Sequence, residues 1–186
     1  SEALSAVRFG HVRSIEVLDE DDASMERDFE LAKTTDECTG SIWLINGLGW
    51  DDITEYPELG DTEVWRWINR SGMVHPMHMH LVFFQVLDRQ PFEVVDGEIV
   101  PIGDPVPPGP EEAGWKDTVA AHPFEITRVI ARFEDYTGKF AYHCHILEHE
   151  DHEMMRQFQV VLPCPADVDN DGVVAVNDLL EVLAAW

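Results

Sequence analysis

Apolar and polar residues alternate along much of the chain in short runs, the period of half-buried strands. Residues 11–18 (HVRSIEVL), 29–32 (FELA) and 41–46 (SIWLIN) read as strands, and Gly47 and Gly49 mark a turn after the last of them. Residues 63–69 (EVWRWIN) alternate, and their aromatic and β-branched side chains suit a pleated surface. Residues 81–87 (LVFFQVL) form the most apolar run and predict a central strand. Residues 125–133 (EITRVIARF), 139–143 and 156–162 (RQFQVVL) complete the set. Residues 19–28 (DEDDASMERD) read as an acidic solvated loop, and the proline-rich residues 101–114 as a loop that no central strand tolerates. One short helix is predicted over 146–155. About eight short strands divided by turn signals predict an all-β sandwich or barrel. Pro163 and Pro165 close this part, so a domain over 1–163 is expected, followed by a tail over 164–186 that differs in kind.

Composition narrows the picture. With 186 residues and 45% hydrophobic content the chain can bury a core, and no apolar run reaches membrane-spanning length. A net charge of -25, from 37 acidic and 12 basic residues, repels nucleic acid and anionic membrane, so neither is expected as a partner. Three cysteines, Cys38, Cys144 and Cys164, are too few for a disulfide framework. No charged-then-apolar leader opens the chain, which is read as beginning within a longer protein.

The chemistry concentrates in residues 142–155, YHCHILEHEDHEMM. Cys144, His149 and Met154 follow one another at five-residue steps, and thiolate, imidazole and thioether are the donors of a blue copper site: two His and one Cys in a trigonal set, with a weak axial Met. A second histidine is needed, and residues 73–80 (MVHPMHMH) hold three. His75, across Pro76, can turn to the Cys144 side and complete the set; Met155 is the adjacent alternative to Met154 as axial donor. His78 and His80 are two apart and share a strand face. By the same alternation His143 and His145 point away from Cys144 and can serve a second metal centre. Six of the nine histidines thus supply the two donor sets. Zinc competes for Cys/His sets, but a closed zinc site has no use for the methionine or the flanking histidines. His11, His122 and His152 lie outside the pattern and are given ordinary surface roles.

HPMHMHLVFFQVLDR and HCHILEHEDHEMM resemble the third and fourth copper motifs of the multicopper oxidases, the laccase and bilirubin oxidase family, and most closely the bacterial spore-coat laccases. GDTEVWRWINRSG and GWKDTVAAHPFEITRVIARF resemble the segments before those motifs, and the likeness covers roughly residues 10–162. It implies a cupredoxin-like Greek-key β-sandwich, the C-terminal cupredoxin domain of a three-domain oxidase. It implies type 1 copper on His75, Cys144, His149 and Met154, type 2 copper on His78, and the type 3 pair on His80, His143 and His145. It implies that a phenol or similar small reductant gives single electrons at an exposed edge of His149, that dioxygen is reduced to water, and that Glu150 assists proton delivery. The family's trinuclear site takes four more histidines from an N-terminal cupredoxin domain, and this chain has no other HxH. The same protein's N-terminal domain or another subunit is therefore expected as a partner. The alternatives are a standalone blue-copper electron carrier and, less well matched, a nitrite reductase-like protein.

The tail reads DVDNDGVVAVND over 167–178. Asp167, Asp169, Asp171, the Val173 carbonyl and Asp178 stand at the ligand positions of an EF-hand-type calcium loop, with Gly172 at its sharp turn and Asp in place of the usual closing Glu. Residues 177–186 then read as an amphipathic helix. The segment resembles a single dockerin-type repeat, which implies calcium and a secreted, extracellular or periplasmic, protein.

Overall fold

The computed structural model describes residues 15–36, 40–163, 166 and 175–184. Among these run β1 (Met25–Asp36), β2 (Gly40–Ile45), β3 (Thr62–Asn69), β4 (His75–Met79), β5 (Phe84–Val95), β6 (Glu98–Pro101), β7 (Trp115–Lys116), β8 (Thr118–Ala121), β9 (Glu125–Arg132), β10 (Gly138–Cys144), helix α1 (Leu147–Glu150), β11 (Met155–Val160) and helix α2 (Val176–Ala184). One sheet has the order β2-β1-β3-β9-β5-β6, with β7 also on β5; the other has the order β11-β10-β4-β8. β1 and β3 are parallel and the remaining pairs antiparallel. This is the cupredoxin-like β-sandwich.

The core lies between the sheets. Phe29, Leu31, Trp43, Ile45, Trp65 and Trp67 of the first sheet meet Met77, Met79, Tyr142, Cys144 and Phe158 of the second, all buried. Phe29 stacks on Trp65 at 4.4 Å, and Tyr142 meets Trp65 edge-on at 5.3 Å, geometries that add to plain area burial.

Four expectations change, each through long-range contacts. The segment read as an acidic loop becomes a short 3-10 turn (Glu20–Asp22) and the first part of β1. Arg66 pairs with Glu26 and Asp28, and Arg128 with Glu20 and Asp88, so β3 and β9 supply the charge that lets this acidic stretch enter a sheet. Residues 15–18 are not a strand. Gln85 pins them, accepting from the Leu18 N–H at 3.0 Å and donating to the Glu16 carbonyl at 2.6 Å. The apolar run 81–87 does not start a strand at its first residue: Leu81 takes φ 72, and the chain turns there because β4 belongs to one sheet and β5 to the other. Phe83 is consequently 62% exposed. The helix expected over 146–155 is the single turn of α1, after which residues from Met155 join β11.

In the tail, α2 matches the expected helix over its described residues, and Leu179, Leu180 and Leu183 are exposed. Cys38, Cys164, Asp167, Asp169, Asp171, Val173 and the Asp178 side chain, and with them the calcium reading, lie outside the described residues, as does His11.

Candidate metal centre

Strand alternation and register place the donors. β4 buries His75, Met77 and Met79 and turns Pro76 and His78 to the opposite face. It pairs antiparallel with β10, with Cys144 opposite Met77 and His143 opposite His78. His75 therefore reaches the Cys144 side by regular alternation and needs no special turn at Pro76. α1, directly after β10, returns His149 to the same side.

The three donors converge. The His75 and His149 Nδ1 atoms lie 3.5 and 3.6 Å from the Cys144 Sγ and 3.2 Å from each other. The centre of such a triangle is about 2 Å from each corner, the length of a transition-metal bond to nitrogen and a little short of one to sulfur. His75 and Cys144 are 0% exposed and His149 is 5% exposed. Burial, then the neighbouring His149, pushes His75 down to about 4, and burial pushes the Cys144 thiol up to about 11, against a backbone N–H from Ile146 that favours the thiolate. At neutral pH the trio thus presents two uncharged imidazoles and a thiol, and a metal entering it must displace the thiol proton.

Met154 is wholly buried and its carbonyl accepts the Cys144 N–H at 3.0 Å. Met155 is opposite His143 in the β10–β11 register, on the other face. The fold therefore favours Met154 over Met155 as the axial candidate.

A polar relay that the sequence reading missed orients His75. With Nδ1 turned to the trio, His75 Nε2–H donates to Ser71 Oγ at 2.8 Å, and the Ser71 hydroxyl donates to Asn69 Oδ1 at 2.8 Å. Asn69 is fixed in turn by donating to the carbonyls of Met73 and Ala121 at 2.7 and 2.9 Å. The only sequence signal was a pair of small polar residues in the turn before the HPMHMH motif. Ser71→Ala is expected to weaken copper binding by about 10- to 100-fold, as loss of an outer partner of a ligating histidine does. Competition with a copper chelator measures this; unchanged affinity would mean that packing alone holds the ring.

On the opposite face His78, His80 and His143 gather with donor atoms within 4.8 Å of one another. His80 Nε2 and His143 Nε2 are 3.3 Å apart. His78 Nδ1–H donates to the Asp117 carbonyl at 2.7 Å, which leaves its Nε2 free. The His145 ring stands 5.3 Å from His143 and 5.5 Å from His78, beside this group but outside its tightest set. His143 is buried, whereas His80 and His145 are exposed. Glu150 places Oε2 3.4 Å from His143 Nδ1, the ring nitrogen turned away from His80. Burial lowers His80 and His143, so both offer neutral nitrogens at neutral pH.

A model of the multicopper oxidase family matches residues 23–162. The chain belongs to the multicopper oxidases. It is 46% identical over 142 residues to the laccase of Bacillus subtilis (strain 168), covering 74% of this chain and 28% of that protein. It is 41% identical over 171 residues to the laccase of Haloferax volcanii, covering 90% of this chain and 27% of that one. Among solved structures it is similar to the McoA multicopper oxidase from the hyperthermophile Aquifex aeolicus, with a TM-score of 0.61 and 28% identity over 79% of this chain and 31% of that chain. The chain thus spans less than a third of the length of each of these relatives. Copper is the metal of this family, and the two-imidazole, one-thiolate triangle fits it.

The resemblance puts electron entry at an exposed edge of His149, and that residue is 5% exposed. The ring of Trp43, from β2, packs on His149 at 4.3 Å between centroids and meets His75 edge-on at 5.0 Å. The run SIWLIN predicted the strand and its buried face, and gave no sign that this face ends on a metal site.

Proposed function

We propose that the chain is the part of a multicopper oxidase that takes single electrons from a phenolic or similar aromatic reductant and delivers them to the site of dioxygen reduction. In this reading His75, Cys144, His149 and Met154 hold type 1 copper, His78 holds type 2 copper, and His80, His143 and His145 hold their half of the type 3 pair. Copper supplies the one-electron chemistry at both places. The observation that carries the reading is the strand β10: Cys144 faces the buried trio while His143, one peptide bond away, faces the histidine group. The Cys144 side chain and backbone thus form a short covalent path between the two. Glu150 stands where it can hold a proton beside His143.

The second face supports a partner. The hollow there, about 240 Å³, is lined by His78, His80, Phe83 and Asp117 and is open to solvent. A centre built only from these groups lacks donors on its outer side, which an N-terminal cupredoxin domain of the same protein or another subunit would supply. A standalone electron carrier has no use for the four outward histidines.

Copper counting with visible, spin-resonance and oxygen-uptake measurements tests the reading. The chain by itself is expected to bind about one blue copper and to consume no oxygen. Together with the rest of the protein it is expected to bind the further coppers and turn over oxygen. A folded protein that takes up no blue copper would sink the proposal.

A further inference from the structure

One residue against the trio has no part in the copper reading. Trp43 lies on β2, the edge strand of its sheet, cross-strand from Lys33. Its indole packs on His149 with a 34° tilt and on His75 at 67°. Its backbone N–H donates to the His152 carbonyl at 3.0 Å, which ties the loop carrying His149 and Met154 to the opposite sheet. Trp43 is itself only 8% exposed, and the exposed Lys33 holds its ammonium 5.5 Å from the ring centroid. In sequence from the surface inward the layers are Lys33, Trp43, His149 and the donor triangle.

We propose that Trp43 and Lys33 form a cap that fixes the ring plane of His149 and raises the reduction potential of the metal held by the trio. The inference rests on the reading of that trio as a copper site. The indole face removes water from the imidazole and limits its rotation, which holds the ligand in the geometry the donors already share. The two ring distances place the Lys33 ammonium no more than about 10 Å from the His149 ring. A positive charge there opposes the additional charge of the oxidised metal. Glu148, on α1, acts on His149 in the opposite sense, so the set point reflects both groups. Trp43 is a positioning residue, not a stopping place for the electron. Oxidising it would put positive charge on a ring that already faces an ammonium, and a cation–aromatic pair resists that.

Redox titration of the blue absorption in the copper-loaded whole protein tests the charge. Lys33 is a surface side chain, so its variants should fold. At a fixed solution potential, Lys33→Gln is expected to lower the reduced-to-oxidised ratio about threefold and Lys33→Glu about tenfold, and Glu148→Gln to raise it. Trp43→Leu, which stays apolar but removes the aromatic face and opens space beside His149, is expected to alter the copper spin-resonance spectrum and to let azide reach the metal; Trp43→Phe is expected to restore both. Unchanged ratios in both Lys33 variants overturn the electrostatic role, and a wild-type spectrum without azide binding in Trp43→Leu overturns the positioning role. A wild-type protein without blue copper would bring down the site reading itself, whereas blue wild-type protein with unresponsive variants overturns the cap alone.

Discussion

Cys144→Ser is expected to abolish the intense visible colour of the copper-loaded protein and, with it, electron delivery to the histidine face. The thiolate is the soft donor that distinguishes this triangle from an ordinary pair of imidazoles. A serine hydroxyl stays protonated where the buried Cys144 thiol, already raised to about 11, gives up its proton only to a metal. The substitution also breaks the path from the trio to His143. The loss of activity should lie well beyond the 10- to 100-fold that removal of an outer hydrogen bond costs. Metal would also cease to stabilise the fold. A ligand at a hundred times its dissociation constant contributes about 2.7 kcal/mol, and that increment should be present in wild type and absent in the variant. Visible spectra and thermal melts with and without copper measure both effects. A Cys144→Ser protein that remains blue would exclude Cys144 as the ligand.

The second large effect is expected away from the metal. Arg156 is 0% exposed and Glu55 4% exposed, and they pair at 3.2 Å. Arg156 also donates to the Asp52 carbonyl at 2.5 Å and to Thr54 Oγ1 at 2.9 Å, and the Tyr142 hydroxyl donates to Glu55 at 2.9 Å. Burial first, and Glu55 next, keeps the Tyr142 phenol protonated, so it remains a donor. Removing one member leaves a buried charge without its partner, so Arg156→Met is expected to cost about 3–5 kcal/mol. Replacing both, Glu55→Leu with Arg156→Met, should cost less than the sum, because no uncompensated charge remains. Urea unfolding followed by tryptophan fluorescence would show this, and additive losses would mean that the two groups do not act as a pair. Arg156 is opposite Tyr142, two residues before Cys144 on the same face. A loosened network is therefore also expected to broaden the copper spectrum.

The distribution of charge explains why the acidic composition misled the reading of the first strand. Residues 19–28 carry six carboxylates (Asp19, Glu20, Asp21, Asp22, Glu26 and Asp28) and in isolation read as solvated loop. Arg66 and Arg128 are 38 and 100 or more positions away in sequence, and only the neighbouring strands bring them alongside. Likewise, the long apolar run at 81–87 carried no sign that its first residues turn between sheets.

The sequence by itself determined the donor types, their sides and their order. Period-two alternation separates Cys144 from His143 and His75 from His78 wherever the strands lie. Those are local geometric consequences of the chain. The tertiary structure alone decided that the trio closes to a triangle of 3.2–3.6 Å and is buried, while the histidine face stays open. It alone brought Trp43 and Lys33 over His149, and Asn69, through Ser71, behind His75. These contacts join residues from both sheets and from the loops between them, and no local periodicity encodes which edge strand will end against which ligand.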